Sequence, residues 1–244
     1  MPQPSIRDYR SLLRRVYGED PAFVHPDVGF LSRLLSGSAE YLRFGTARAF
    51  SVPGLAFAVG FVDPREQERS GRALGSIGFF EAASDEAAVE VLGRTCEWLG
   101  ERDVTEVWAP CNGNPLYGVG LREDRFDEPP LVGCSHHPPA YRTYLEHAGF
   151  ARVGGYLDYE IDLTGDAWRE AREDVEGISF RRASRSRFRD EVARFMTMHN
   201  EAFRDVWGEA EVSVPEALEL MGRARLAVPS ALFQFARMVL LLPE

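Results

Sequence analysis

Apolar positions along the chain alternate between helical and extended periods, and these periods set the expected element order. From Ile6 to Tyr17 the residues Tyr9, Leu12, Leu13 and Val16 recur at helical spacing, opposite Arg7, Arg10, Arg14 and Arg15. Gly18-Glu19-Asp20-Pro21 ends that helix, and a second short one is expected over Phe30 to Leu35, before Ser36-Gly37-Ser38. Thr46–Val52 and Leu55–Val62 read as strands joined by Pro53-Gly54, a pair suited to a tight antiparallel turn. The charged stretch Asp63 to Gly71 reads as a loop, followed by a strand over Leu74–Phe80. Ser84 or Asp85 then caps a helix whose stripe is Ala87, Val91, Leu92, Cys96 and Leu99, and Val104–Trp108 is a short buried strand.

Turn residues crowd Pro110 to Pro139, which therefore reads as a long ordered loop, a kind of segment more often functional than idle. A helix from Pro139 or Ala140 to His147 and a strand over Gly154–Leu163 complete a first unit, residues 1–163. The acidic piece 164–177 reads as a linker. A second unit, 178–244, begins with a strand over Ile178–Ala183 and helices over Arg187–Val206 and Val214–Arg225, and closes on a strand-like run from Leu232 to Leu242. The helices of this unit are expected to rest on the first through Phe188, Phe195, Phe203 and Trp207. This order describes an α/β (α+β) fold with a mixed, mostly antiparallel sheet flanked by helices.

Composition narrows the class. With 45% hydrophobic residues in 244 positions there is material for a substantial core, in one large domain or two modest ones. No apolar run approaches the roughly 18 residues that a membrane-spanning helix needs, and Met1 to Arg7 lacks a secretory pattern, so a cytoplasmic protein is expected. A net charge of −10 argues against nucleic-acid partners. Every basic side chain is Arg. Cys96, Cys111 and Cys134 fit neither a disulfide framework nor a paired-cysteine zinc site. In Cys134-Ser135-His136-His137 the histidines, held in a proline-bounded loop, are expected to be exposed, and no metal site is expected. His147 and His199 sit among apolar neighbours and read as core or boundary residues.

Several motifs carry a resemblance. Tyr17-Gly-Glu-Asp-Pro-Ala-Phe-Val-His-Pro, Phe44-Gly-Thr-Ala-Arg-Ala-Phe, Gly75-Ser-Ile-Gly-Phe-Phe-Glu, Asp127-Glu-Pro-Pro and Pro138-Pro-Ala-Tyr-Arg-Thr-Tyr-Leu-Glu-His-Ala-Gly-Phe resemble bacterial tandem members of the GNAT superfamily of acyl-CoA-dependent N-acyltransferases. His199-Asn-Glu-Ala-Phe and Trp207-Gly208 resemble the start of that family's second unit. The resemblance implies acyl transfer from acyl-CoA to a small-molecule or peptide amine. It places the thioester contacts along Phe79, Phe80, Ala82, Ala83 and Ser84, with Asn112 in the same set, and Glu81 where the superfamily often carries its base. A helix N-terminus after the third strand would hold the pyrophosphate, yet the loop reads Glu81-Ala-Ala-Ser-Asp-Glu86, with no glycine or arginine and with three carboxylates. For the acid, Leu145 stands where the family has tyrosine, and Tyr144 is displaced by one residue, about 100° around a helix. Tyr144 is the candidate acid, with a packing role as its other reading, and Tyr141 is no better placed. The second unit is read as incomplete, its glycine-rich phosphate loop being expected beyond Glu244. Self-association through Val239–Leu242, or completion by a second chain, is the corresponding expectation. The rival reading is a GNAT-like binding or assembly module without catalysis.

Overall fold

The computed structural model describes residues 4–131, 133–155, 157, 178–204, 210–221 and 234–238. Its centre is a four-stranded sheet in the order β1-β2-β3-β4, formed by β1 (Thr46–Val52), β2 (Ala56–Val62), β3 (Leu74–Ala82) and β4 (Glu106–Trp108). The first three strands are antiparallel and β4 runs parallel to β3, pairing Leu74 with Glu106 and Ser76 with Trp108. At the β1–β2 turn Gly54 has φ 67°, which a residue without Cβ adopts freely, and the N–H of Leu55 closes the turn on the carbonyl of Val52 at 2.9 Å.

β2 is buried throughout and β3 almost so, and apart from Ser76 and Glu81 both strands are apolar, because helices cover both faces. On one face lies α4 (Asp85–Gly100), burying Ala88, Val91, Leu92, Thr95, Trp98 and Leu99 against Phe50, Ile77, Phe80 and Ala82. The helix approaches so closely that a Cβ on Gly60 would stand 2.9 Å from Thr95 Cγ2. On the other face lie α1 (Ile6–Tyr17) and α2 (Gly29–Ser36), whose Tyr9, Leu12, Leu13, Tyr17, Phe30, Leu31 and Leu34 pack on Phe57, Val59 and Phe61. Helix α1 begins with a capping box between Ser5 and Asp8, and α4 with the Ser84 hydroxyl accepting from the N–H of Ala87.

The segment after β2 differs from its reading as a loop. Pro64–Ser70 is a helix, α3, with Asp63 capping the N–H of Arg65, proline in the first turn and Gly71 in the left-handed conformation at its end. Its side chains after Pro64 are all polar, so no apolar stripe announces it; caps and the Arg69–Glu66 pair support it instead. The long loop holds one 3-10 turn, Pro115–Tyr117, and leads into α5 (Tyr141–His147). Of the strand expected over Gly154–Leu163, Gly154 and Gly155 are irregular and the remainder lies almost entirely outside the described residues, as do the expected linker 164–177, Trp207 and Val239–Leu242.

Further along, β5 (Ile178–Arg182) pairs antiparallel with β6 (Gln234–Met238), and α6 (Phe188–Ala202) packs on α7 (Val214–Met221). Attachment of α7 to the elements around the first sheet, α2, α3 and the 3-10 turn, is mainly ionic rather than aromatic. Arg65 places its guanidinium between Asp63, at 2.7 Å, and the fully buried Glu216, at 2.8 Å. Glu216 also accepts from the hydroxyl of Tyr117 at 3.1 Å, and Arg33 pairs with Glu219. Phe188 and Phe195 do line the cluster around Val192 and Met196, joined by Leu116 from the loop, but Phe203 is 40% exposed and stacks on the ring of His199 in the helix it follows.

Truncating one partner of a buried ion pair leaves the other charge desolvated and unpaired, which costs about 3 kcal/mol or more. Glu216→Ala takes one of the two carboxylates from Arg65, which keeps Asp63 as its partner, so a loss below that figure is expected. We expect amide protection in 188–221 to fall in hydrogen exchange while that of β1–β3 holds, and equal loss in both regions would contradict the ionic attachment.

Candidate active site

Glu81 occupies the last turn-ward stretch of β3, paired with Phe57 across the sheet, and is only 6% exposed. Just before it the strand bulges: the register slips between Phe57 and Val59, so that one intervening residue of β2 faces two of β3, and Phe79 adopts φ 48°. The slip turns the Glu81 side chain toward α1. There Tyr9 and Tyr17, eight residues apart and so on one helix face, aim their hydroxyls at it: Tyr17 donates to Oε2 at 2.8 Å and Tyr9 to Oε1 at 3.5 Å. From the opposite side Tyr141, the first residue of α5, donates to Oε2 at 2.8 Å. No arginine is among these contacts.

Burial favours the uncharged carboxyl, whereas three hydroxyl donors favour the carboxylate. Burial dominates, and the Glu81 pKa is pushed up to about 8 against the tyrosine hydrogen bonds. The three phenols are themselves raised, chiefly by burial and then by the neighbouring Glu81 charge. Glu81 is therefore poised to exchange a proton near neutral pH, as a general base requires.

The residues expected to contact an acyl thioester do lie together, from the bulge to the start of α4, but most of their polar groups already have partners. The N–H of Phe79 donates to Asn112 Oδ1 at 2.8 Å, that of Ala82 to the Tyr141 hydroxyl at 2.8 Å, and that of Ala83 to the Leu55 carbonyl at 2.7 Å. Asn112 donates from Nδ2 to the Tyr117 carbonyl at 3.1 Å, and the loop approaches so closely that a Cβ on Gly78 would be 2.4 Å from Asn112 Oδ1. Phe80 is buried beneath α4. Ser84 caps α4, and Asp85 beside it holds His147 at 2.6 Å. The helix end expected to receive a pyrophosphate thus carries Asp85 and Glu86 in its first turn.

Tyr144 packs its ring on that of Tyr141, with centroids 5.8 Å apart, and is half-buried. Tyr141, set aside in the sequence, is the residue of this helix that reaches Glu81. Tyr9 and Tyr17 were legible only as inward positions of α1; their polar ends on an otherwise apolar stripe are the signal that a buried partner waits opposite.

The expectation that His136 and His137 are exposed is overturned, since both are buried. His136 is clamped by Asp20 at Nε2, 2.7 Å, and by the guanidinium of Arg122 at Nδ1, 2.8 Å. Because a guanidinium only donates, Nδ1 accepts and Nε2–H donates to Asp20. The carbonyl of His136 in turn accepts from the Tyr17 hydroxyl at 3.1 Å, which joins the long loop to the tyrosine cluster. Burial drives the pKa of His137 down to about 4.

These shifts make stability depend on pH with a definite sign. The folded state keeps the Glu81 proton up to about pH 8 whereas an unfolded chain releases it near 4.5, so stability falls as pH rises through that window. His137, uncharged down to about pH 4 in the fold but protonated below 6.5 when unfolded, adds stability as pH rises from 4 to 6.5 and so masks Glu81 there. Between pH 6.5 and 8 the Glu81 contribution is unmasked, at most about 1.4 kcal/mol per pH unit. Thermal melts over that interval should show the wild-type midpoint falling while Glu81→Gln stays level; parallel curves would refute the assignment.

Over 160 residues the chain is 32% identical to a protein named bacterial ceramide synthase from Caulobacter vibrioides, a match covering 63% of this chain and 42% of that protein. The chain thus spans less than half the length of this curated relative. No family model matches the sequence, and no solved structure matches it.

Proposed function

We propose that this chain is an N-acyltransferase that moves an acyl group from a thioester to an amine, with Glu81 as the proton acceptor. The observation that carries the reading is a carboxyl buried at the end of the third strand among tyrosine hydroxyls, where burial pushes its pKa up to about 8. The relative adds support, since ceramide is by its chemistry an N-acylated amino alcohol and its formation makes an amide. The resemblance to GNAT proteins points to the same bond.

In this reading the amine attacks the thioester carbonyl, forming a C–N bond as the carbonyl π electrons move to oxygen. Glu81 takes the ammonium proton. Collapse of the intermediate breaks the C–S bond, and the thiolate leaves to be protonated. A tyrosine hydroxyl facing the carboxyl is suited to pass protons at this centre, and Tyr141 and Tyr17 are placed for it in preference to Tyr144. The pyrophosphate of coenzyme A does not fit the start of α4: Ser84 is committed to its cap, and Asp85 and Glu86 would repel the phosphates. No step is assigned to a grip on that group, and the donor is described by its thioester alone.

A second reading, a GNAT-like module without catalysis, is favoured by one observation: the N–H groups of Phe79, Ala82 and Ala83, which would hold a thioester arm, are engaged within the fold. Assay of amide formation from long- and short-chain acyl thioesters with amino-alcohol acceptors separates the two. In the catalytic reading kcat/KM rises with pH and levels above about 8 as Glu81 ionises. Glu81→Gln lowers kcat by about 100-fold or more, the usual worth of general base catalysis. Turnover that survives this substitution within about threefold would remove Glu81 from the chemistry, while no amide from any donor would favour the module.

A further inference from the structure

The tyrosine cluster holds more hydrogen-bond acceptors when Glu81 is ionised than when it is protonated, and the difference must be made up somewhere. With Glu81 ionised, its oxygens accept from Tyr9, Tyr17 and Tyr141, while the Tyr141 oxygen accepts from the N–H of Ala82. Adding a proton to the carboxyl turns one of these contacts round, because the carboxyl O–H now needs an acceptor of its own. A phenol that accepts it must send its own hydrogen elsewhere or leave it unmatched, at the full cost of a buried donor without a partner.

Among the described residues only one acceptor lies outside the cluster and within reach, the carbonyl of His136, 3.1 Å from the Tyr17 oxygen. Neither Tyr9 nor Tyr141 has such an alternative. If the carboxyl proton goes to Tyr141 instead, the Tyr141 hydrogen must pass to Tyr17, which faces it, and the Tyr17 hydrogen still ends on His136. Both arrangements converge on the same turn of one hydroxyl.

We propose that Tyr17 is the positioning residue of the Glu81 proton: its O–H points to the carboxylate when Glu81 is ionised and swings to the His136 carbonyl when Glu81 is protonated. The loop carbonyl is held in place for this by the clamps of Asp20 and Arg122 on the His136 ring. Other titratable groups do not supply the missing acceptor. Tyr9 and Tyr17 face the carboxyl from α1 and Tyr141 from α5; the His137 ring lies 5.7 Å from that of Tyr141 and its Nδ1 already accepts from the backbone N–H of Arg122 at 3.4 Å, while Asp20 and the Arg122 guanidinium hold the His136 ring. The role of the swing in acyl transfer rests on the reaction proposed above, but the proton arrangement does not, and its test is read without turnover.

Tyr17 and Tyr141 donate to the same oxygen at the same distance, so as plain donors they would be interchangeable. Under the proposal they are not. Tyr141→Phe removes a donor from the carboxylate and leaves the protonated form's acceptor in place, which raises the Glu81 midpoint by about one pH unit. Tyr17→Phe removes a donor from the ionised form and the acceptor relay from the protonated form, so the two losses offset and the midpoint moves by less than half as much. Titration of side-chain-labelled glutamate by carbon-13 NMR reads both. In the wild type the carbonyl carbon of His136 should shift with the Glu81 midpoint; in Glu81→Gln, whose amide N–H2 donates permanently to Tyr17, it should be flat. Equal midpoint rises in the two tyrosine variants would overturn the proposal. So would a His136 carbonyl that does not titrate in the wild type, a reading that needs no variant to fold.

Discussion

The fold turns on burying one carboxyl among phenols. A glutamate at the end of a central strand would ordinarily be solvated, and sealing Glu81 beneath α1 and α5 is sustained by hydroxyls that approach it from both sides. Each of these hydroxyls also fixes an element. Tyr17 pins the end of α1, Tyr141 the start of α5, and the N–H of Ala82 secures Tyr141 to the strand. The bulge at Phe79 is part of the same arrangement, since without the extra residue the side chain after Phe80 would turn toward α4 rather than α1. Strand irregularity, helix docking and an upshifted carboxyl therefore have a common origin.

The element order was largely legible because it rests on periodicity and punctuation. The α1 and α4 stripes, the Pro53-Gly54 hairpin and the Ser84 cap are all written locally. Helix α3 was not, because its support comes from caps and charge pairs rather than an apolar face. For the site, Glu81 could be named from its place after Gly-Phe-Phe, but its partners could not. Tyr9, Tyr17 and Tyr141 are separated from it by 72, 64 and 60 residues, and which tyrosine of α5 points inward depends on where that helix starts, a detail that pattern reading leaves uncertain by a residue or more. The burial of His136 likewise depends on Asp20 and Arg122 meeting across the loop, 116 and 14 residues away.

A chemical tension runs through the site. Burial raises the proton affinity of the carboxyl as the proposed transfer requires, yet the neighbouring backbone donors are satisfied internally and the start of α4 is acidic. These are compatible if the acyl donor is recognised by its thioester and chain, with phosphate binding left to other residues. They also explain why the attachment of α7 matters to the site: Tyr117, whose carbonyl receives Asn112 and whose hydroxyl reaches Glu216, links the ion-pair network around Arg65 to the bulge.

Both the tyrosine arrangement and the proposed chemistry require Glu81 to carry its proton into the neutral range. Direct titration of the Glu81 carboxyl carbon in the folded wild-type protein measures this without assuming any reaction. A single midpoint near 8 is expected; a midpoint near the ordinary carboxyl value of 4.5 would mean that burial does not hold the proton on Glu81.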